Sequence, residues 1–162
     1  MSKPGTELSR GARRVQEALD AQGVQLQVRE LPQSTRTALD AAQAVGCSLG
    51  QIAKSLVLIA RNSQQPILAV VSGSNRLDER KLAERVGEPV RMASADEVRQ
   101  ATGFAIGGVP PVGHAAVLRT FIDAELLQYD TVWAAAGTPR AVFQLSPAEL
   151  TRITGGEVVT IA

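Results

Sequence analysis

The sequence has few of the side chains that most often carry chemistry. A single cysteine, Cys47, in 162 residues excludes an intrachain disulfide and a cysteine-built zinc site. A single histidine, His114, argues against a histidine-built metal centre, and nothing in sequence places a nucleophile and an orienting acid beside it. Aromatic residues make up 3% of the chain, too few for the stacking platforms of single-strand binders. No apolar run approaches the length of a membrane span. The net charge of +1 creates no global field for nucleic acid, so any RNA contact must be local. Arg10, Arg13 and Arg14 offer one such patch, or simply the exposed side of a helix. Met1 to Gly5 leads into charged residues and not into an apolar signal segment, so a cytoplasmic protein is expected.

What remains is an apolar content of 44%, enough for one substantial core. A flexible tail is expected over residues 1–7 and one domain over 8–162. Leu8, Ala12, Val15, Ala18 and Leu19 form a helical stripe that Gly23 stops. Val24, Leu26 and Val28 alternate with polar residues, predicting a half-buried strand over 24–31. Thr37 with Asp40 suggests a capping box, with Gly46 closing that helix. Strands are expected over 55–60 and 67–71, joined closely enough to pair antiparallel. Further helices are expected over 78–86 and 94–101, and further strands over 90–92 and 117–122. Val132–Ala136 and Ala141–Leu145 read as a hairpin around Gly137-Thr138-Pro139-Arg140. Ser146-Pro147-Ala148-Glu149 starts a last helix, followed by a strand over 157–161. The pattern predicts an α+β domain with a central mixed, largely antiparallel sheet or partly closed barrel, flanked by short helices.

Two features stand out within this frame. Lys54 is one of three lysines against fourteen arginines and stands at the seam of Gly50-Gln51-Ile52-Ala53-Lys54-Ser55-Leu56. A charge opening an interior strand must reach solvent, a carboxylate or an anion. Its stem can simply pack on the sheet with the amine at the rim. Alternatively, it is a point-charge donor to a phosphate or a developing oxyanion. The second feature is Gly107-Gly108-Val109-Pro110-Pro111-Val112-Gly113-His114. Its glycines allow close approach of a ligand to main chain, and its prolines stiffen the residues beyond them. It is either a backbone oxyanion site or a turn between helix and strand; it has neither dinucleotide nor Walker spacing. His114 reads first as structural and Cys47 as a small packed thiol.

With these segments the chain resembles the YbaK/EbsC family of trans-editing deacylases, related to the editing domain inserted in bacterial prolyl-tRNA synthetase. The likeness runs from about Val15 to the C-terminus. It rests on Ile52-Ala53-Lys54-Ser55-Leu56, on Gly107 to His114, and on Ala136-Gly137-Thr138-Pro139. It implies hydrolysis of the ester joining a wrong amino acid to the terminal adenosine of tRNA, often tRNA for proline. Lys54 then matches the family's lysine, expected to hold the phosphate or terminal ribose of the acceptor end. Gly107 and Pro111 match a glycine-x-x-x-proline loop that orients the acyl carbonyl and a hydrolytic water; these three are the expected catalytic positions. Gly108, Gly137, Thr138 and His114 are expected to bind substrate around that loop. Ser34, Thr35, Thr37 and Ile52 are expected near the aminoacyl pocket.

On this resemblance the partner is the acceptor end of an aminoacyl-tRNA, with prolyl-tRNA synthetase or an elongation factor as candidate protein partners and neither DNA nor a membrane. An ester is activated enough for positioned water and a prepared carbonyl site, so no cofactor or metal is expected. The acyl group is expected to be small, such as alanine, serine, threonine, cysteine or 2-aminobutyrate. The competing readings are a noncatalytic tRNA- or synthetase-binding module with the same fold, and a small-molecule ester hydrolase.

Overall fold

The chain's structure is a computed structural model that describes residues 7–162; the expected tail over 1–7 therefore lies, Glu7 apart, outside the described residues. Its centre is a pair of strands, β2 (Ile52–Ala60) and β3 (Pro66–Ser72). Both are runs of aliphatic residues because both faces are covered: Leu68, Ala69, Val70 and Val71 have no exposed surface. Arg61 to Gln65 turns the chain and the two strands pair antiparallel from Ala53↔Ser72 to Ile59↔Pro66.

Six more strands complete one mixed sheet: β1 (Val28–Glu30), β4 (Val90–Met92), β5 (Arg119–Asp123), β6 (Val132–Ala135), β7 (Ala141–Leu145) and β8 (Glu157–Val159). The order is β1-β7-β6-β2-β3-β5-β8, with β4 also on β2. Four pairings are antiparallel (β1·β7, β2·β3, β2·β4, β6·β7) and three parallel (β2·β6, β3·β5, β5·β8). The helices α1 (Arg10–Ala21), α2 (Ala38–Val45), α3 (Glu79–Val86), α4 (Ala95–Thr102) and α5 (Pro147–Thr154) flank the sheet. Among the described residues no helix is long and apolar enough to cross a membrane.

The helix boundaries follow from local chemistry. Ser94 with Glu97 and Ser146 with Glu149 form complete capping boxes. Thr37 accepts from the Asp40 N–H, without a return bond from the Asp40 side chain. Gly46, Gly87, Gly103 and Gly155 end their helices at positive φ. Three strand expectations shift. The 24–31 segment alternates inward as expected, yet only Val28–Glu30 finds a partner, on β7. Val117 is fully exposed and the strand there begins at Arg119. A 3₁₀ turn, Leu49–Gln51, delivers the chain into pairing at Ile52, so Lys54 is the third residue of β2 and does not open it.

The larger core cluster packs α1 and α5 against the sheet around Phe143, Leu68, Ile122 and Leu150. Replacing the fully buried Phe143 with alanine is expected to destabilise the protein by about 3–5 kcal/mol. In urea this appears as a lower midpoint at unchanged slope. A loss below about 1 kcal/mol would contradict this packing.

Candidate active site

The site arises because β2 has two partners on one edge. Its start pairs parallel with β6 (Ile52↔Trp133, Ala53↔Ala134) and its end antiparallel with β4 (Leu58↔Met92 to Ala60↔Val90). Between them Lys54, Ser55 and Leu56 have no strand on that edge. The Gly73 N–H donates to Ile52 O, which sets the alternation: even-numbered residues turn their main chain to β3. The N–H and C=O of Ser55 are therefore directed into the gap. Side chains from both faces of β2 line the cavity that fills it, a space of about 260 Å³. Ala53, Ser55 and Val57 contribute from one face and Ile52, Lys54 and Leu56 from the other.

The glycine–proline segment covers this gap. Gly107, Gly108 and Val109 line the cavity, and the half-exposed Ile106 and Met92 stand at its mouth. The loop is held by its own main chain. The Gly108 N–H donates to Ala105 O at 3.2 Å, and Gly108 O accepts from the Gly137 N–H at 2.8 Å. Among the described residues the N–H groups of Gly107 and Val109 have no protein acceptor. A Cβ on Gly108 would lie 2.8 Å from the Thr138 backbone, so glycine is required by contact. Gly107 has φ +99°, a conformation that disfavours any side chain, and the Arg36 stem crosses it. Gly137 in turn packs main chain to main chain on Gly11 of α1.

Of the residues expected to bind substrate or act in catalysis, Thr35, Thr37, Ile52, Lys54, Gly107 and Gly108 line the one cavity. Ser34, Pro111, His114, Gly137 and Thr138 do not. Gly137 and Thr138 brace the loop from outside the cavity. His114 shares a hydrogen bond at Nε2 with Pro110 O at 2.7 Å; a carbonyl only accepts, so Nε2 carries the proton. Burial pushes its pKa down, and that bond acts in the opposite direction. Pro111 is buried behind the loop. Cys47 does not line the cavity; its thiol donates to Ser48 O at 3.3 Å and burial raises its pKa.

Lys54 stands where the cavity meets a second, open groove; Lys54, Leu56 and Met92 line both. Its ammonium donates to Asn75 O at 2.7 Å. Partial burial lowers its pKa, the nearby Arg76 lowers it further, and Asp123 acts in the opposite direction. Ser74, Asn75, Arg76, Leu77 and Glu79 form the rest of the groove. The buried Asp123 fixes this turn by accepting from the Ser72 N–H at 3.1 Å, Asn75 Nδ2 at 2.9 Å and the Glu125 N–H at 3.0 Å. Of the expected N-terminal basic patch, Arg14 is engaged in structure: it lies 4.5 Å over the Phe104 ring and donates to Gly103 O. Arg13 donates to Leu8 O. The groove beside the lysine is instead supplied by Arg76, which no sequence argument singled out.

With the geometry in place, comparison with known proteins is decisive. The family model for the aminoacyl-tRNA editing domain matches residues 32–153, spanning β2, the cavity and the loop. The chain belongs to this family, the YbaK/EbsC editing domains. It is 36% identical to YwhH of Bacillus subtilis over 131 residues, covering 81% of this chain and 83% of that one. It is 31% identical to EbsC of Enterococcus faecalis, provisionally named a Cys-tRNA(Pro)/Cys-tRNA(Cys) deacylase, over 74% of this chain and 73% of that one. A solved structure described as a candidate trans-editing enzyme for prolyl-tRNA synthetase superimposes with a TM-score of 0.91 at 54% identity, covering 96% and 98% of the two chains. Membership carries the family's general character, hydrolytic editing with a tRNA partner.

The site residues missed in sequence are Ser55 and Arg76. Ser55 was legible in principle, because period two along β2 puts Lys54 and Ser55 on opposite faces of one gap. Gly108→Ala tests the loop: the added carbon meets backbone and cannot be relieved by a rotamer change. The variant is expected to lose about 1–3 kcal/mol of stability together with most editing activity. A variant as stable and active as the parent would show that the loop is not clamped.

Proposed function

We propose that this protein hydrolyses, in trans, the ester of a mischarged tRNA, acting on tRNA-Pro that carries a small noncognate amino acid. The observation that carries this reading is the meeting of a small, largely apolar cavity with a cationic groove at Lys54. An aminoacylated 3′ end has that order of parts: an acyl group, then a ribose, then an anionic phosphodiester. The description of the 54%-identical structure in terms of prolyl-tRNA synthetase, and the name of EbsC, support the choice of tRNA-Pro.

The chemistry asked of the site is modest. The N–H groups of Gly107 and Val109, which have no protein acceptor, and that of Ser55, directed into the gap, are the donors available to the acyl carbonyl, whose oxygen gains charge as water adds. The loop's internal bonds hold these donors in place before substrate arrives, so little reorganisation is required. Lys54 supplies a point charge at the ribose–phosphate end. Neither Cys47 nor His114 lines the cavity, and no protein nucleophile is invoked; water adds to the acyl carbon, the C–O bond to the ribose breaks, and the 2′-hydroxyl of the terminal ribose assists proton transfer.

Release of amino acid from tRNA-Pro charged with alanine, serine, threonine, cysteine or 2-aminobutyrate is the test, with prolyl-tRNA as the protected control. Lys54→Ala is expected to slow deacylation at least about a hundredfold. Parental rates in that variant would remove the lysine from the mechanism, and wild-type protein that binds every tRNA without releasing an amino acid would establish a noncatalytic binding module. The Lys54 pKa is depressed, so its charge is lost below the usual lysine range as pH rises. After uncatalysed hydrolysis is subtracted, activity is expected to fall on that alkaline side, and Lys54→Arg, which stays charged, to flatten the fall. Arg76→Gln is expected to weaken tRNA affinity and to reduce its log–log salt dependence by about 0.7, one phosphate contact on a single strand. An unchanged salt slope would place the acceptor end elsewhere.

A further inference from the structure

Two side-chain oxygens stand out among the residues that line the cavity. Among the described residues, Thr35 Oγ1 and Ser55 Oγ are the buried side-chain oxygens that have no hydrogen-bond partner. Buried hydroxyls are nearly always paired, so an orphan calls for an explanation. Here both orphans belong to residues lining the same cavity, and the rest of its wall is mostly aliphatic and glycine. They come from independent elements. Ser55 is in the gap of β2. Thr35 is on the segment before α2, fixed by its own N–H to Pro139 O at 2.6 Å. Each oxygen is covered as it stands, on the cavity side included, and it is rotation of the side chain about Cα–Cβ that would bring it to the lumen. A ligand with a polar atom at the right depth gives each a partner that the protein does not.

Size does not make this choice. About 260 Å³ equals the liquid volume of roughly nine waters, so alanine, serine and 2-aminobutyrate all fit. We propose that Thr35 and Ser55 form a hydroxyl-reading subsite, which makes the preferred substrate a tRNA charged with a β-hydroxy amino acid, serine or threonine. This rests on the deacylase reading and narrows it. A site whose polar groups are satisfied by a substrate hydroxyl rejects an isostere without it far more strongly than an apolar pocket rejects a methyl group.

The test uses the matched pair seryl-tRNA-Pro and 2-aminobutyryl-tRNA-Pro, in which a hydroxyl and a methyl occupy the same position. Wild-type protein is expected to favour the seryl ester by about a hundredfold or more in kcat/KM. Thr35→Val and Ser55→Ala, each confirmed folded by its thermal melt, are expected to shrink that ratio to about tenfold or less. A wild-type ratio near one overturns the proposal without reference to any variant. So do variants that slow both esters equally, since the hydroxyls then hold a water or the substrate's common part. Release of alanine or 2-aminobutyrate with no preference for serine overturns this inference and leaves the deacylase reading intact; no release from any charged tRNA overturns both.

Discussion

The structure depends on how one edge of β2 is shared. A strand buried on both faces normally satisfies its main chain with a continuous neighbour on each side. Here β3 provides that on one side along the full length, while β6 and β4 take only the two ends of the other. Of the intervening residues, Lys54 and Leu56 turn their main chain to β3, and Ser55 has its N–H and C=O free for a ligand. The gap persists because β6 is anchored elsewhere, by β7, and because β4 is held to the far end of β2, where the Ala93 N–H donates to Val57 O at 3.0 Å. A cavity formed this way is preformed, and its lining follows directly from the register.

Around that gap the charges are arranged by depth. The cavity proper has no charged lining residue except Lys54 and Arg36. Lys54 reaches outward from β2 to Asn75 O, to a groove where Arg76 adds a second positive charge and Asp123, fully buried below, holds the turn. An amine placed there is partly desolvated and close to another cation, which is why its charged form is disfavoured before an anion arrives. A phosphodiester relieves both effects at once. The cavity beyond the amine is mostly apolar, and main-chain dipoles in such surroundings are screened least.

Most of the architecture was legible from punctuation and periodicity. The glycines ending α2, α3, α4 and α5, the serine–glutamate boxes, and the Arg61–Gln65 connection each have a local cause that operates regardless of tertiary context. Strand edges were less legible. Val24 and Leu26 alternate inward without pairing, and Val117 is exposed, because a ladder needs a partner as well as a pattern. At the site, Lys54 and the Gly107–Val109 loop were visible as chemistry out of place in an apolar sequence. Pro111 and His114 shape the loop from behind, and sequence spacing alone does not distinguish a wall from its support. Arg76 stayed hidden because its role comes from the Asp123-braced turn, a contact between residues 48 positions apart.

The central claim is that the gap in β2, roofed by Gly107 to Val109, holds the acyl group while Lys54 faces the adjoining ribose and phosphate. A crystal structure with an amide-linked, nonhydrolysable aminoacyl analogue of the terminal CpA tests this most directly. The account predicts the acyl carbonyl beside the Gly107, Val109 and Ser55 N–H groups, and the phosphodiester in the groove of Lys54 and Arg76. Acyl density outside the gap, or a phosphate remote from Lys54, would contradict it.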